Sequence, residues 1–301
     1  MAIPHPIPYQ GSKRKLARVI LRYFPNHVEC LYEPFAGSAA ITLAAAHGRK
    51  AKQFWMSDCL EPLMGIWRMI LDCPEELAAQ YSALWHGQIS DPRAFYLQVR
   101  DDFNRTGGPA RLLYLIARCV KNAIRFNPEG EFNQSADHRR KGMHPRTMRG
   151  AILGASDLLK GRCTAAAADY REVLRAPTAE DLVYMDPPYQ GVNGKDPRYH
   201  RQVEFGELMG ELEDLNRRDV RYLLSYDGSC GAKTYGEQLP EYLQLTRVSI
   251  HVGKSAQATL AGRSADTVES LYLSPNLARE VGARSKKVSL RKAEAQLGLF
   301  Q

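Results

Sequence analysis

Short apolar runs that alternate with helical stretches constrain the fold of this chain more than any other feature. One such run, Leu182-Val183-Tyr184-Met185, precedes a helical pattern over residues 205–217, and both kinds of pattern recur along the chain. This alternation predicts an α/β fold with a doubly wound sheet, which binds ligands beyond the carboxyl ends of its strands. The other predicted strands cover residues 30–33, 53–57, 163–167, 221–225, 243–252 and 268–273.

A strand-poor block between residues 61 and 160 interrupts the alternation. We therefore expect a catalytic domain formed by residues 1–60 and 161–275, with residues 61–160 inserted as a mainly helical lobe. No helix separates the last two predicted strands, which predicts an antiparallel pair at that edge of the sheet. Residues 276–301 are polar and basic, and we expect them to form a C-terminal tail. The helices predicted in the block cover residues 75–85, 92–104 and 110–123.

Charge and cysteine content narrow the class of protein. Lys and Arg number 41 against 33 Asp and Glu, a formal charge of +8. This charge suits a nucleic acid partner, with a solvated basic surface as the alternative. The six cysteines form no C-x-x-C pair, which argues against a disulfide framework or a zinc site and favours a reduced, cytoplasmic location. No apolar run has the length of a membrane span, and we expect no secretory signal.

The run Asp186-Pro187-Pro188-Tyr189 directly follows a predicted strand. The strand delivers the Asp186 carboxylate to the edge of the sheet, and the two prolines hold the backbone extended. This arrangement fits an amino group on a planar ring, whose two N–H groups bind the Asp186 carboxylate and the Pro187 carbonyl while Tyr189 stacks on the ring. The nitrogen then becomes more nucleophilic toward a sulfonium methyl group through positioning and electrostatics. A stiff turn with an incidental carboxylate is the alternative.

A glycine turn, followed one strand later by an acidic residue, indicates a site for an adenosyl ligand. The run Glu33-Pro34-Phe35-Ala36-Gly37-Ser38 lies at a strand end and opens a helix of small residues. Gly37 permits a tight turn and a close approach of backbone to ligand, and the single glycine disfavours nicotinamide dinucleotides. Asp58 follows the next strand, where a carboxylate binds ribose hydroxyls or, as the alternative, caps a helix.

The N-terminal run Tyr9-Gln10-Gly11-Ser12-Lys13 begins a helix that is predicted over residues 13–24. Gly11 or Ser12 suits the cap of this helix. Lys13 is placed to bind a carboxylate, such as the methionine end of a cofactor. A capped, basic helix start without a ligand explains the run equally well.

Together these runs resemble the α-class (Dam-like) adenine-specific DNA methyltransferases over residues 8–274. The resemblance implies a methyltransferase fold, S-adenosylmethionine as methyl donor, no metal, and flipping of the target adenine out of the duplex. It implies that Asp186, Pro187, Pro188 and Tyr189 form the catalytic motif, and that Asp169 meets the cofactor adenine. The cofactor-binding residues that it implies are Tyr9, Lys13, Pro34, Phe35, Gly37, Ser38, Asp58, Asp169 and Asp186.

The resemblance extends into the inserted lobe. Residues 122–127 and 130–133 resemble a family segment that forms a DNA-contacting hairpin, but residues 134–137 depart from the apolar-Pro-Phe-Gly continuation that is common there. We therefore do not assign to this chain the DNA sequence that members of the family recognise. We expect Arg125 to read guanine or to pair within the lobe, and the basic stretch after it to bind phosphates or water. The expected DNA-binding residues are Asn122, Arg125, Asn127, Asn133, Arg139, Arg140 and Lys141.

The run Gln296-Leu297-Gly298-Leu299-Phe300 resembles the peptide by which bacterial replication proteins bind the sliding clamp. An apolar tail that folds onto its own domain is the alternative. By analogy with the family, we expect a monomer.

Two other functions remain open at this point. The same fold also serves methylation of cytosine N4 or of RNA adenine, and the Asp at the head of the motif favours DNA adenine over these. A DNA-binding module that has lost catalysis is the second alternative, which the intact residues 186–189 and Asp58 disfavour.

Overall fold

A computed structural model describes residues 2–188, 203–230, 233–254 and 266–290. Tyr189 of the predicted catalytic motif and residues 296–300 lie outside these ranges, so the expectations for them remain predictions. In the described part of the chain, no helix is both long enough and apolar enough to cross a membrane.

The described strands join into one mixed sheet. Its strands are β1 (Cys30–Glu33), β2 (Gln53–Asp58), β3 (Cys163–Ala167), β4 (Leu182–Met185), β5 (Arg221–Cys230), β6 (Lys233–Tyr235), β7 (Thr246–Lys254), β8 (Asp266–Leu273) and β9 (Lys286–Ser289). The order is β3-β2-β1-β4-β5-β8-β7-β9, with β6 paired to β5. Strands β1 to β5 are parallel, and β8 runs antiparallel to both β5 and β7. The predicted α/β class and the antiparallel pair are confirmed.

Helices cover both faces of this sheet. They are α1 (Ala17–Ile20), α2 (Ala40–His47), α3 (Glu61–Asp72), α4 (Pro74–Gly87), α5 (Pro92–Thr106), α6 (Pro109–Arg118), α7 (Pro145–Leu159), α8 (Tyr170–Val173), α9 (Phe205–Arg217) and α10 (Pro275–Glu280). Alternate residues of β4 face opposite ways: Leu182 and Tyr184 belong to the larger core, and Val183 and Met185 to the smaller one. Period-two alternation thus buries both faces of the strand, as a central parallel strand requires.

The chain order of the strands places the ligand crevice at β1. From β1 the chain winds outward through β2 and β3, and then returns to form β4 on the other side of β1. In open α/β sheets, ligands bind beyond the carboxyl ends of the strands where the order reverses in this way. Glu33, Asp58 and Asp186 all lie at or directly after such ends.

The predicted lobe of residues 61–160 shares its interior with the sheet. Helices α3 and α7 frame the segment; α3 packs on β2 and β3, and α7 packs on α2. Side chains from all its helices join the larger core, among them Trp67, Tyr81 and Tyr114. The inserted segment is therefore anchored on the sheet at both ends.

The structure corrects two of the helix predictions. The helix predicted over 13–24 is three short turns, and it ends at Phe24, which is extended because Pro25 follows it. The helix predicted over 110–123 ends at Arg118, because Cys119 is extended and Asn122 turns left-handed with φ 53°. The Asn122 Nδ2 donates to the Ile116 carbonyl, which caps the end of α6.

Residues 276–289, which were predicted to belong to the C-terminal tail, contain regular secondary structure. Helix α10 starts at Pro275, and β9 pairs parallel with β7 from Lys286 to Ser289. Strand β9, rather than the antiparallel pair, therefore forms that edge of the sheet. The polar composition of this stretch reflects an edge strand, on which charged residues are usual.

Candidate active site

A cleft of about 590 Å³ opens at the carboxyl ends of β1, β2 and β4. Its volume lies within the roughly 300–1,000 Å³ that is usual for small-molecule sites. Residues from all four runs singled out in the sequence line it: Tyr9 to Lys13, Glu33 to Ser38, Asp58, and Asp186 to Pro188. Asp169 lines it as well, after β3. The predicted cofactor and catalytic residues that the structure describes therefore meet in one place.

Asp186 carries the central charge of the cleft. It directly follows β4, and its Oδ1 lies 3.0 Å from the Nζ of Lys13, whose side chain is only 8% exposed. The same ammonium lies 3.4 Å from Oε2 of Glu269 on β8. The two carboxylates share one buried cation, which holds Asp186 in a fixed direction. The expectation that Lys13 binds a cofactor carboxylate remains a prediction beside this contact with Asp186.

The turn after β1 has the strained geometry of a ligand site. Gly37 has φ +49° and Ala39 has φ 45°, and the second is rare for a residue with a side chain. The Gly37 N–H donates to Asp58 Oδ2 at 3.2 Å, and its carbonyl accepts from Trp67 Nε1 at 3.0 Å. A side chain at Gly37 would lie 3.2 Å from the ring of Tyr9. These contacts fix the turn, with Tyr9 packed closely against it.

Serine hydroxyls tie this turn to the N-terminal run. Ser38 Oγ donates to Ser12 Oγ at 2.8 Å. The backbone N–H of Gln10 in turn donates to the Asn122 carbonyl at 3.1 Å. The N-terminal run thus connects the glycine turn to the start of the inserted hairpin.

Glu33 lies under the cleft as a buried carboxyl group. It is 3% exposed, and its Oε2 accepts from the Thr42 N–H at 2.9 Å and the Thr42 hydroxyl at 2.6 Å. Burial raises the pKa of Glu33 to about 7 in spite of these bonds, and the charge of Asp186 acts in the same direction. The carboxyl group is therefore largely protonated below neutral pH, which limits negative charge next to Asp186.

The acidic residues at the ends of β2 and β3 are held by different partners. Asp58 accepts from Gly37 N–H and, through Oδ1, from the Leu60 N–H at 3.0 Å. Asp169 caps α8 by accepting from the Arg171 N–H, and its two oxygens also accept from the Arg171 guanidinium at 2.9 Å each. Arg171 extends further to Glu207 at 2.9 Å. Both carboxylates are thus fixed in direction beside the cleft.

Aromatic side chains form the wall between these carboxylates. The rings of Phe35 and Tyr170 lie 5.1 Å apart and both line the cleft. The Tyr170 hydroxyl is buried and has no hydrogen-bond partner among the residues that the structure describes. A buried hydroxyl without a partner is costly, so this group suits a polar ligand in the cleft.

The inserted lobe supplies another wall. Residues 124–132 form a hairpin in which Phe126 and Phe132 pair, and Ile124, Phe126, Asn127, Pro128 and Gly130 line the same cleft. Asn127 shapes the turn: its Oδ1 accepts from the Glu131 N–H at 2.7 Å, and its Nδ2 donates to the Glu131 carboxylate at 3.0 Å. The predicted DNA-contacting hairpin therefore lines the same cleft as the predicted catalytic residue Asp186.

The remaining predicted DNA-binding residues occupy different environments. Arg125 is half-buried, and its Nε has no partner within the described ranges. Asn133 is exposed, and its N–H donates to the Arg125 carbonyl at 3.0 Å. Asn122 uses its side chain to end α6, as described above. The structure thus gives the amides of Asn122 and Asn127 a role within the hairpin itself.

The basic segment, residues 137–142, follows the hairpin on the surface. Arg139 and Lys141 are exposed, and neither has an ion-pair partner among the residues that the structure describes. Arg140 differs, because its guanidinium binds Asp137 at 2.7 Å. The Arg139 backbone N–H and the Arg140 side chain lower the pKa of Asp137 below its usual value. Two of the three predicted phosphate-binding residues are thus available to an anion.

Several residues of the site were not predicted from the sequence. Arg171 follows Asp169 by two positions, and an Arg beside a capping Asp was a signal that could have indicated it. Tyr184 was assigned to the strand only, yet its hydroxyl binds Ser225 Oγ at 2.9 Å directly behind the cleft. Glu269 and Trp67 come from distant parts of the chain, and no local pattern connects them with the cleft.

Comparison with known proteins gives relatives of one kind. The chain is 25% identical over 233 residues to the DNA N-6-adenine-methyltransferase of Escherichia phage P1, which covers 73% of this chain and 29% of that protein. It is 25% identical over 185 residues to the DNA adenine methylase of Serratia marcescens, covering 60% of this chain and 65% of that one. It is 23% identical over 268 residues to the retron Ec67 DNA adenine methylase of Escherichia coli, with 83% and 87% covered. The chain thus spans less than two thirds of the phage and Serratia proteins.

A sequence model of the D12 class N6 adenine-specific DNA methyltransferases matches residues 9–252. The match begins at the N-terminal run, contains the whole inserted segment, and ends in β7. It therefore includes Asp58, Asp169, Asp186 and the hairpin that lines the cleft with them. The chain belongs to the D12 class N6 adenine-specific DNA methyltransferase family.

Proposed function

We propose that this chain transfers a methyl group from S-adenosylmethionine to the N6 amino group of adenine in a specific double-stranded DNA sequence, with the target base flipped into the cleft. The observation that carries the proposal is the Asp186 carboxylate, held by the buried Lys13 at the end of β4 and next to the Gly37 turn. Membership of the family and the names of its relatives support adenine as the acceptor.

The residues of the cleft fit the methyl donor. Gly37 allows backbone to approach a ligand closely, Asp58 suits ribose hydroxyls, and the Phe35–Tyr170 pair offers an aromatic surface for an adenine ring. The unpartnered Tyr170 hydroxyl supports a polar ligand at this place. These residues, with Tyr9, Pro34, Ser38 and Asp169 around them, are the ones that we propose hold S-adenosylmethionine. When bound, S-adenosylmethionine supplies an electrophilic methyl group on a sulfonium.

The chain's contribution to the chemistry is positioning and electrostatics. Asp186 and the Pro187 carbonyl accept the two N–H groups of the adenine amino group, and this orients its nitrogen lone pair. Lys13 holds the Asp186 carboxylate in place, and Glu269 holds Lys13 from the other side. Tyr189 is proposed to stack on the base. A paired adenine in a duplex cannot reach Asp186, so flipping is part of the proposal.

Recognition of the duplex is assigned to the inserted lobe. Its hairpin lies over the cleft, where a flipped base would enter, and the basic segment continues from it on the surface. We propose that Arg125 and Asn133 contact DNA from the hairpin, and that Arg139 and Lys141 bind phosphates. Arg140 is proposed to contribute less, because Asp137 already neutralises it.

The test is transfer of labelled methyl from S-adenosylmethionine to unmethylated genomic DNA, by the wild type and by Asp186→Ala, followed by nucleoside analysis. Label in N6-methyladenine with the wild type alone is the expected result. Duplexes without adenine or without cytosine, and a parallel RNA sample, distinguish the other acceptors. Label in cytosine, or in RNA alone, would contradict the choice of acceptor. DNA binding without any label would leave a module without catalysis.

We further propose that the chain acts as a cytoplasmic monomer and that residues 296–300 bind the bacterial sliding clamp. The support is the DNA substrate, which is addressed one strand at a time, and the spacing of the apolar residues in that run. Deletion of the residues after Glu294 is expected to abolish co-elution with the clamp and to leave the methylation rate on short duplexes unchanged. Equal co-elution of the truncated protein would rule out clamp binding through this run.

A further inference from the structure

Buried polar side chains hold the backbone of the basic segment. This segment has no regular secondary structure, yet its carbonyl groups have partners inside the lobe. The Nη1 of Arg118 donates to the Asp137 carbonyl at 2.9 Å and to the Arg140 carbonyl. The Nε2 of Gln88 donates to the Lys141 carbonyl at 3.1 Å. Just beyond it, the Tyr81 hydroxyl donates to the Met143 carbonyl at 2.7 Å. The backbone therefore follows a defined path although it is irregular.

The same kind of contact holds the hairpin that precedes the basic segment. The Tyr96 hydroxyl donates to the Gln134 carbonyl at 2.7 Å. The Asn104 amide binds Phe132 twice, accepting from its N–H at 2.8 Å and donating to its carbonyl at 3.1 Å. The pattern thus runs from residue 132 to residue 143, and its donors come from α4 to α6 and the turn after α4.

Arg118 differs from the other donors because it carries a charge. It is 2% exposed, and it has no carboxylate within ion-pair distance in the described ranges. Its Nε likewise has no hydrogen-bond partner in the part of the chain that the structure describes. Burying a cation without an acidic partner costs free energy, and a neutral amide could donate to the same backbone carbonyls without this cost. Hydrogen bonds to carbonyls therefore do not by themselves explain why this residue is an arginine. The observation points to a use for the charge itself.

Gly142 completes the arrangement. It has φ +80°, and a Cβ there would lie 3.2 Å from Arg118 Cδ and 3.3 Å from the Ala117 carbonyl. Glycine therefore lets the backbone lie directly on the aliphatic part of the buried Arg118 side chain. With the carbonyls turned inward onto Arg118, the exposed Arg139 and Lys141 lie on the other side of the same short stretch.

We propose that Arg118 is a positioning residue for DNA binding, with Gln88 as its second anchor. It holds the basic segment in one conformation, so that Arg139 and Lys141 meet phosphates without first being ordered. Its own charge, in a medium of low dielectric, adds to the positive potential at that surface. This inference rests on the proposed function as far as the ligand is DNA, and it assigns the affinity partly to a residue that does not touch DNA.

The experiment compares Arg118→Met, Arg118→Lys and Gln88→Met with Arg162→Met. Arg162 is a matched control: it also donates to backbone carbonyls, those of Leu158 and Ala46, but lies away from the cleft and the basic segment. Measured quantities are kcat and KM on a duplex substrate, DNA affinity, affinity for S-adenosylmethionine, and the rate of tryptic cleavage after Arg139, Arg140 and Lys141.

Arg118→Met is expected to raise KM for DNA by about 10-fold or more and to leave kcat and cofactor affinity within about 2-fold. Trypsin is expected to cut the basic segment at least about 10 times faster, while Arg162→Met changes neither. Arg118→Lys keeps the charge but lacks the planar guanidinium whose Nη1 reaches both the Asp137 and the Arg140 carbonyls, so it is expected to recover only part of the affinity. Gln88→Met is expected to act in the same direction, and it carries the test if Arg118→Met does not fold.

Equal DNA affinity and equal cleavage for these variants and for Arg162→Met would overturn the inference, as would a fall of kcat with KM unchanged. The affinity and trypsin measurements need no methyl transfer. A wild type that binds DNA without methylating it would therefore remove the proposed function and leave the role of Arg118 to be decided by the same comparison.

Discussion

The cleft at the sheet edge and the basic segment of the inserted lobe are positioned by different means. Asp186 directly follows β4, Asp58 ends β2, and Gly37 lies in the turn after β1, so the backbone next to them in sequence places them. The basic segment has no such strand. Its path depends on side chains such as Gln88, which binds a carbonyl 53 residues later in the chain.

This difference separates what each region contributes. Asp186, which we propose acts on the reacting group, is held by Lys13 of the N-terminal run, so its replacement is expected to have little effect on the lobe. Residues inside the lobe can change DNA affinity without touching DNA, since they hold the surface that does. Chemistry and recognition are therefore expected to respond to different variants.

The largest expected effect concerns the buried carboxyl under the cleft. The pKa of Glu33 is raised from 4.5 to about 7 by burial, so the folded chain binds this proton more tightly than the unfolded chain does. The stability that this proton provides is present below pH 4.5 and is lost as pH rises to about 7. The loss amounts to about 3 kcal/mol at most, at ~1.4 kcal/mol per pH unit. Glu33→Gln should remove this dependence, so its unfolding free energy relative to the wild type should rise between pH 5 and pH 7.

Thermal and denaturant unfolding of Glu33→Gln and wild type at pH 5, 6, 7 and 8 measures this effect. Glu29→Gln is a control, because Glu29 is exposed and its pKa is lowered by Lys52. A difference between Glu33→Gln and wild type that does not change with pH would contradict the assignment of the charge to Glu33.

The second prediction separates cofactor from DNA at the cleft. Asp58→Ala removes a carboxylate that holds the Gly37 turn and that we propose binds ribose hydroxyls. Hydrogen bonds to a charged group contribute about 1.5–3 kcal/mol, so the Kd for S-adenosylmethionine should rise roughly 10- to 100-fold. DNA affinity should stay unchanged. Calorimetric titration with each ligand measures both affinities, and the exposed Asp72→Ala is the control. A parallel loss of DNA affinity would contradict the separate roles of the cleft and the lobe.

The third prediction makes the opposite separation in the lobe. Tyr96→Phe removes the buried hydroxyl that donates to the Gln134 carbonyl and leaves the ring in place. A hydrogen bond of this kind contributes about 1 kcal/mol, so DNA affinity should fall about 5-fold while cofactor affinity stays constant. Tyr23→Phe, a buried ring outside the lobe, is the control. Unaltered DNA affinity of Tyr96→Phe in a fluorescence anisotropy titration would argue that the hairpin needs no such anchor.

The smallest expected effect distinguishes two neighbouring arginines. Arg139 has no acidic partner in the described part of the chain, whereas Arg140 binds Asp137. Arg139→Gln should therefore lower the slope of log K against log salt by about 0.9, the value for one phosphate contact, and Arg140→Gln should lower it less. DNA binding measured at several salt concentrations gives both slopes. Equal slopes would mean that the ion pair with Asp137 opens when DNA binds.

Much of the fold could be predicted from the sequence, because the residue pattern of a strand is local. The strands predicted over 30–33, 163–167 and 182–185 coincide with β1, β3 and β4. The cleft followed from them, since a residue after a parallel strand must lie at the same edge as its counterparts. Helix α7 was not predicted although its apolar residues Met148, Ile152 and Ala155 recur at helical spacing, because Arg146 and Arg149 gave the stretch the composition of the basic segment before it.

The supports of the site were not readable in the same way. The sequence places Lys13 near a ligand, but only the fold brings Glu269 to its other side, from a strand that pairs with β5. Arg118 lies in an apolar helix, and no local sequence pattern indicates its contact with residues 137–140. Such partners depend on how distant segments pack, and periodicity does not encode this.

We propose a division of roles in which Asp186 acts in methyl transfer and the inserted lobe binds DNA. It is tested most directly by kcat of Asp186→Asn at saturating DNA, measured together with the Kd values for DNA and for S-adenosylmethionine. The amide keeps the shape of the side chain but replaces one acceptor oxygen by a donor. We predict that methyl transfer falls by at least about 100-fold, in line with the loss of one preorganised polar group, while both Kd values stay within about 2-fold. Transfer at the wild-type rate, or loss of DNA affinity in step with the rate, would contradict the account.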